Sequence, residues 1–309
     1  MMALAICVGC SSSQRAQTRV QRKPLEKQRR DYQTPANYSP RELGYDRTTG
    51  KVVTYDHKPR VELKDDKAGK YEFKWIGYDG KEKAVLFQRG DVLDAVVTAS
   101  VSKTSDNQYI YSYVVENLPT SAAYLKRFVV QNLATDVIPD NGGPFVAFKM
   151  SKAIEQFKDG NWLSFDDVSD DIQINPGQKV QIRLRSSAPP GLVECRASIE
   201  TVMNGGDEEM PSALENLLPG YEDFPKGYTI GPVEDLKRFT TEERMKYMVE
   251  KLPQFRKAGW ITDDAAVRYE RLLKKNQTAG LVTSVDQDLQ SEQVLPEFAA
   301  LIRSMVNRL

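Results

Sequence analysis

Between Asp91 and Leu133 apolar and polar side chains alternate with a period of two, so this stretch reads as three β-strands separated by turns. Leu93, Ala95, Val97, Ala99 and Val101 share one parity against Asp94, Thr98 and Ser100. Tyr109, Tyr111, Tyr113 and Val115 share another against Ser112 and Glu116, and Phe128 and Val130 oppose Arg127 and Gln131. Lys103–Asn107 and Asn117–Ser121 hold the Asn, Asp, Ser, Thr and Pro residues that favour turns. Upstream, Tyr71, Phe73 and Trp75 alternate with Glu72 and Lys74, and Asp79-Gly80 supplies the positive φ of a tight hairpin. Downstream, Val180, Ile182 and Leu184 form one more apolar row, and Val193, Cys195, Ala197 and Ile199 another. After Pro232 the period changes to that of a helix. Thr240-Thr241-Glu242-Glu243 offers a capping box ahead of Met245, Met248, Leu252 and Phe255. Thr262 caps a second helix through Ala266, Tyr269, Leu272 and Leu273, stopped by Gly280. A third runs from about Ser284 to Leu309, interrupted near Pro296.

Seven or more short strands at regular turn spacing predict an all-β sandwich of two antiparallel sheets, immunoglobulin-like in architecture, followed by a small α-helical bundle. The expected division is an apolar start at 1–10, a polar tether at 11–67, the sandwich at 68–203, a Gly- and Pro-rich linker at 204–232 and the helical module at 233–309. Pro253 is expected to kink or split the first helix.

The 309 residues are 40% apolar and 28% charged, with a formal net charge of zero. The charge is unevenly spread. Residues 1–30 hold seven basic side chains and one acidic, so the remainder is acidic. An acidic body argues against nucleic acid as a partner, because neutralising phosphates needs a basic face. The basic stretch Arg15–Arg30 reads as a solvated tether, with a strip touching anionic lipid or a nucleic-acid arm as the sharper alternatives.

Residues 3–9 form an apolar run too short to span a bilayer. The sequence Cys7-Val8-Gly9-Cys10 followed by Ser11-Ser12-Ser13 resembles a bacterial lipobox. That resemblance implies lipidation at Cys10, attachment to the membrane through the lipid anchor, and residence in the bacterial cell envelope, on the outer membrane or facing the periplasm. The pattern Tyr109-Ile110-Tyr111-Ser112-Tyr113, then Ser121 and Phe128, with Pro176-Gly177 and Pro189-Pro190-Gly191, is similar to sandwich modules of secreted bacterial proteins. Gly259-Trp260-Ile261 resembles the junction of helical tails that follow such modules. These resemblances imply fold and location and carry no chemistry.

Three cysteines, Cys7, Cys10 and Cys195, make no disulfide framework. The single histidine, His57, falls in the expected tether, which argues against Ser-His-Asp or Cys-His catalysis and against a zinc site. No phosphate-cradling or dinucleotide-binding glycine motif occurs. Asp166, Asp167, Asp170 and Asp171 form the densest carboxylate group, with Asp140 a neighbour if the loop folds back. Hard oxygens suit calcium, although the spacing is not an EF-hand and a solvated acidic loop is the plainer reading. Tyr109, Tyr111 and Tyr113 are either a ligand face for sugar or peptide, or core and cross-strand packing. The expected function is non-catalytic binding, adhesion or assembly at the envelope, through an envelope protein or a surface glycan as partner. The alternatives are a carbohydrate-binding or carbohydrate-active accessory using carboxylates and tyrosines, and an intracellular structural protein whose apolar start is coincidental.

Overall fold

The computed structural model describes residues 20, 22–36, 42–46, 49–140, 149–151, 156–157, 160–166, 173–199, 210–218 and 223–306. Two strands, β1 (Glu42–Asp46) and β2 (Lys51–Tyr55), pair as a hairpin. Then β3 (Arg60–Asp65), β4 (Lys70–Ile76) and β5 (Glu82–Gln88) form a three-stranded antiparallel sheet. The sandwich follows with β6 (Ala95–Lys103), β7 (Tyr109–Asn117), β8 (Arg127–Gln131), β9 (Ile138–Pro139), β10 (Lys149–Ser151), β11 (Gln156–Phe157), β12 (Gly160–Asp166), β13 (Lys179–Ser186) and β14 (Pro190–Ser198). A one-turn helix α1 (Ser212–Glu215) precedes the last strand, β15 (Lys226–Pro232). Helices α2 (Thr241–Lys257), α3 (Asp263–Lys274), α4 (Thr278–Gln290) and α5 (Pro296–Val306) complete the described chain.

One sandwich sheet has the order β6-β7-β13-β9 and the other β10-β12-β8-β14-β15, with β11 beside β12. β6 pairs with β7 and β7 with β13, while β8 lies between β12 and β14 and β15 closes the edge beside β14. That is the immunoglobulin-like arrangement of an antiparallel two-sheet sandwich. The alternation of the sequence sets the register. Tyr113 lies opposite Ala99 on β6 and Ile182 on β13, and Tyr111 opposite Val101 and Leu184, so apolar side chains meet on one face. In the second sheet Phe128 lies opposite Phe165 and Ala197, and Val130 opposite Leu163 and Cys195. The two inner faces meet where the Tyr113 and Phe128 rings lie 6.0 Å apart. Small residues at Ala95, Ala99 and Ala197 leave room for these rings.

Several expectations need correction. The stretch expected as a linker contains β15, which pairs with β14 from Arg196↔Lys226 to Pro190↔Pro232. Its glycines read as breakers but mark close approaches. A Cβ on Gly231 would lie 2.5 Å from Val193 Cγ2, and one on Gly227 would lie 2.8 Å from Leu25 Cδ2. The same stretch places Leu214 of α1 in a second core with Tyr32, Tyr71, Phe73, Trp75, Val85 and Phe87 of the three-stranded sheet. The polar stretch expected as a tether likewise contributes β1, β2, β3 and buried Leu25, Tyr32 and His57.

In the helical part, α2 runs unbroken through Pro253. Thr240 and Glu243 form the expected capping box. Gly280 does not end a helix but lies inside α4; α3 ends earlier, where Asn276 takes the left-handed φ of 52°. The expected third helix is two, α4 and α5, because Pro296 occupies the first position of α5, where its missing N–H costs nothing. The helices share one core with the sandwich, from Leu192, Ile230 and Val233 to Met245, Phe255, Phe298 and Leu301. Tyr247 of α2 fastens this junction, its hydroxyl accepting from the Leu192 N–H at 3.0 Å.

Candidate functional site

The tyrosine stripe is buried. Tyr109, Tyr111 and Tyr113 are 5%, 0% and 0% exposed, because their parity is the one that points between the sheets. Tyr111 donates its hydroxyl to the Ala188 carbonyl at 2.6 Å. The Tyr113 hydroxyl is buried with no hydrogen-bond partner, and burial pushes its pKa far above the ordinary tyrosine value. Of the carboxylate group, Asp167, Asp170 and Asp171 lie outside the described residues, and Asp166 is described only as backbone, paired with Arg127 and Lys149. Asp140, the suggested neighbour, instead pairs with Arg183 at 2.7 Å and Arg185 at 3.2 Å. Among the described residues no group of three or more His, Cys, Asp or Glu side chains could hold a metal ion. Cys10 lies outside the described residues.

Cys195 is fully buried, and burial drives its thiol pKa upward, so no reactive thiolate is presented. His57 is 3% exposed. Its Nδ1 lies 2.7 Å from the Ile76 carbonyl, fixing that nitrogen as the donor, and Tyr55 and Tyr78 pack on the ring at 6.0 and 5.2 Å between centroids. Nε2 has no hydrogen-bond partner. Among the described residues no carboxylate hydrogen-bonds the ring, so His57 is held by packing and by the Ile76 carbonyl.

The arrangement that sequence reasoning missed is built by residues 20–32. This segment runs across the fold as a strap and touches all three modules. At its start the Val20 N–H donates to the Glu292 carbonyl at 2.8 Å, and Arg22 reaches both Glu297 of α5 at 2.5 Å and the Val97 carbonyl of β6 at 3.0 Å. In its middle the Leu25 N–H donates to Ala95 at 2.8 Å, and Glu26 exchanges backbone hydrogen bonds with Lys226 of β15 at 2.7 and 2.8 Å. Leu25 thus covers the open seam between the edge strands β6 and β15. At its end Tyr32 enters the core of the three-stranded sheet, 4.8 Å from the Phe87 ring.

The basic residues of the strap are mostly committed to these contacts. Lys27 pairs with Asp94 at 2.6 Å, Arg29 with Asp31 and Asp66 at 3.0 and 2.9 Å, and Arg30 with Asp223 at 3.0 Å. Burial works to raise the Asp94 pKa, but the hydrogen bonds from Lys27 and Thr120 outweigh it and hold the carboxyl below its ordinary value. The run of charge that reads as a solvated arm is therefore largely an intramolecular clamp. The signal in the sequence was Leu25, an isolated apolar residue within that run, together with the two glycines of β15 that make space for it and for Val193.

Where the strap, β6, β15 and the end of α2 meet they enclose a cleft of about 450 Å³. Its apolar walls include Leu25, Tyr228 and Trp260, and its charged lining is Arg22, Lys23, Lys27, Lys226 and Lys257 against Glu26 and Asp94. Trp260 is held there by the end of α2. Gly259 adopts φ +74°, the Gly259 N–H donates to Arg256, the Trp260 N–H donates to Phe255, and the Phe255 and Trp260 rings pack at 5.4 Å. This helix ending satisfies the last carbonyls and fixes the indole. A second groove of about 230 Å³ lies between Tyr109, Val101 and Ile230 of the sandwich and Leu301 and Arg303 of α5. Among the described residues no helix is long and apolar enough to cross a membrane.

No protein-family model matches the chain, and no curated protein matches it. A crystal structure of an uncharacterized protein from Nocardia farcinica, described as having an immunoglobulin-like fold, is similar over 42% of this chain and 94% of its own, at 10% identity and a TM-score of 0.25.

Proposed function

We propose that the chain is a non-catalytic binding protein of the bacterial cell envelope, held to the membrane by a lipid on Cys10. The observation that carries the binding half is the cleft at the junction of strap, sandwich and helical module. It joins apolar walls to charged groups drawn from the strap, β6, β15 and the end of α2. A binding role also suits the buried states of His57 and Cys195, which leave the described residues without an exposed general base or nucleophile of those types. The envelope half rests on the lipobox-like Cys7-Val8-Gly9-Cys10.

The strap changes what such an anchor does. Val20, whose N–H donates to the Glu292 carbonyl, stands ten positions after Cys10 in the sequence. Ten positions of polypeptide cannot span more than roughly 35 Å. The body is then held beside the bilayer rather than floated away from it on a tether of fifty or so residues. The carbohydrate alternative draws on the loop carboxylates and the tyrosine stripe; of these, Tyr111 and Tyr113 are buried in the core, and Asp167, Asp170 and Asp171 lie outside the described residues. Fractionating the native host tests the proposal. Wild-type protein is expected with the membranes and the Cys10→Ala variant in the soluble or secreted fraction. Equal solubility of the two overturns the anchor.

A further inference from the structure

The strap holds five basic side chains among its described residues, and four of them, Arg22, Lys27, Arg29 and Arg30, are paired with carboxylates. The exception is Lys23, and it lines the cleft. Lys226 on the facing strand is likewise exposed and has no carboxylate partner among the described residues. Lys257 also lines the cleft, 2.7 Å from Glu26. The two carboxylates of the lining, Glu26 and Asp94, are thus each matched by a lysine of the lining, and Lys23 and Lys226 remain as surplus positive charge. The carbonyl end of α2 would oppose an anion by its dipole. Its last carbonyls are however closed by the Gly259 and Trp260 N–H groups, and Arg256 and Lys257 stand in its final turn.

From this we infer that the cleft docks an acidic peptide segment of a partner protein, its carboxylates meeting Lys23 and Lys226 and an apolar or aromatic side chain lying against Tyr228 and Trp260. The inference deepens the binding reading above by naming the partner's chemistry. Charge complementarity selects the sign of the ligand, and the apolar wall selects a peptide over a bare anion, which would leave that wall unused. Lysine points to carboxylates without the forked geometry that arginine would impose, so the site is tolerant of the exact acidic sequence.

The probe is a fluorescent random copolymer of glutamate and tyrosine, titrated into the full chain and followed by anisotropy. Saturable binding is expected, weakened about tenfold or more by Lys23→Glu with Lys226→Glu and by raising salt across the physiological range. Both lysines are exposed, so the double variant should keep the wild-type melting temperature. A Lys103→Glu variant, outside the cleft, should bind as wild type. The inference is overturned if the double variant binds the copolymer unchanged, or if Lys103→Glu weakens it as much. It is also overturned if phosphatidylglycerol vesicles bind in its place with the same dependence on Lys23 and Lys226, since the cleft would then read a lipid surface. Failure here leaves membrane attachment through Cys10 standing, because fractionation reads that independently.

Discussion

Arg22 and Glu297 stand 275 positions apart in the chain and meet in an ion pair of 2.5 Å that ties the strap to α5. The Glu297 side chain is 4% exposed and that of Arg22 26%. Removing the arginine strands a buried carboxylate, whose second oxygen already lacks a partner. Arg22→Ala should therefore cost about 3 kcal/mol, the low end for a broken buried pair because Arg22 keeps some water. Arg22→Ala combined with Glu297→Leu should cost clearly less than Arg22→Ala alone, since no unpaired charge remains. Urea denaturation of the single and double variants checks this. Equal or greater loss in the double variant would show that the contact acts by packing and not by charge.

Tyr111 and Tyr113 of β7 should respond differently to loss of their hydroxyls. Tyr111→Phe breaks a 2.6 Å hydrogen bond and leaves the Ala188 carbonyl short of a donor, for a loss of about 1 to 2 kcal/mol. Tyr113→Phe removes a buried hydroxyl that has no partner, so it should be neutral or stabilising. Thermal denaturation of both variants compares them, and a glycan-binding assay should find neither changed, because both rings are in the core.

Much of the sandwich is legible in the sequence, and the reason is local. β7 and β13 carry an unbroken alternation, and β6 and β14 a partial one, that needs no knowledge of the rest of the chain. The helix starts at Thr240 and Thr262 are legible for the same reason, since a cap is a contact between residues three apart. What is not legible is long-range. Leu25 is one leucine in a basic run until Gly227 and Ala95 lie beside it, and Gly227 and Gly231 look like breakers until Leu25 and Val193 cover them. Tyr109, Tyr111 and Tyr113 show their parity but not which side of the sheet is covered. The cleft draws on segments from residue 22 to residue 260 and has no signature in any one of them.

Gly231 puts the reading of β15 to a direct test. With Val193 Cγ2 only 2.5 Å from where a Cβ would stand, Gly231→Ala must push the edge strand off β14. The expected loss is about 1 to 3 kcal/mol, the range for overpacking a close-packed site. Gly80→Ala serves as the contrast. Nothing lies within 4 Å of a Cβ there, so its cost comes only from the left-handed φ of 75°. If Gly231→Ala melted at the wild-type temperature, residues 226–232 would not be packed as described.

A pH-dependent feature sits on the outer face of the three-stranded sheet. Hydrogen bonds from Lys74 and then Lys64 draw the Glu62 carboxyl down to about 2. The charged form is favoured by folding, so this contribution is present above the ordinary glutamate value of 4.5 and is lost as the pH falls from there through about 2. The group is exposed, and salt should weaken the effect. Carboxyl-carbon NMR titration should show Glu62 rising toward its ordinary value in Lys74→Gln, and rising less in Lys64→Gln. No rise in Lys74→Gln would exclude the lysine as the cause.

The functional proposal turns on Cys10, and the most direct measurement is the mass of the N-terminal peptide from protein purified out of the native host's membranes. The expected result is a peptide that begins at Cys10, carries a diacylglyceryl group on the thiol and lacks residues 1–9. An unmodified Cys10 within a peptide that still carries those residues would contradict the lipid anchor and, with it, the placement of this protein in the envelope.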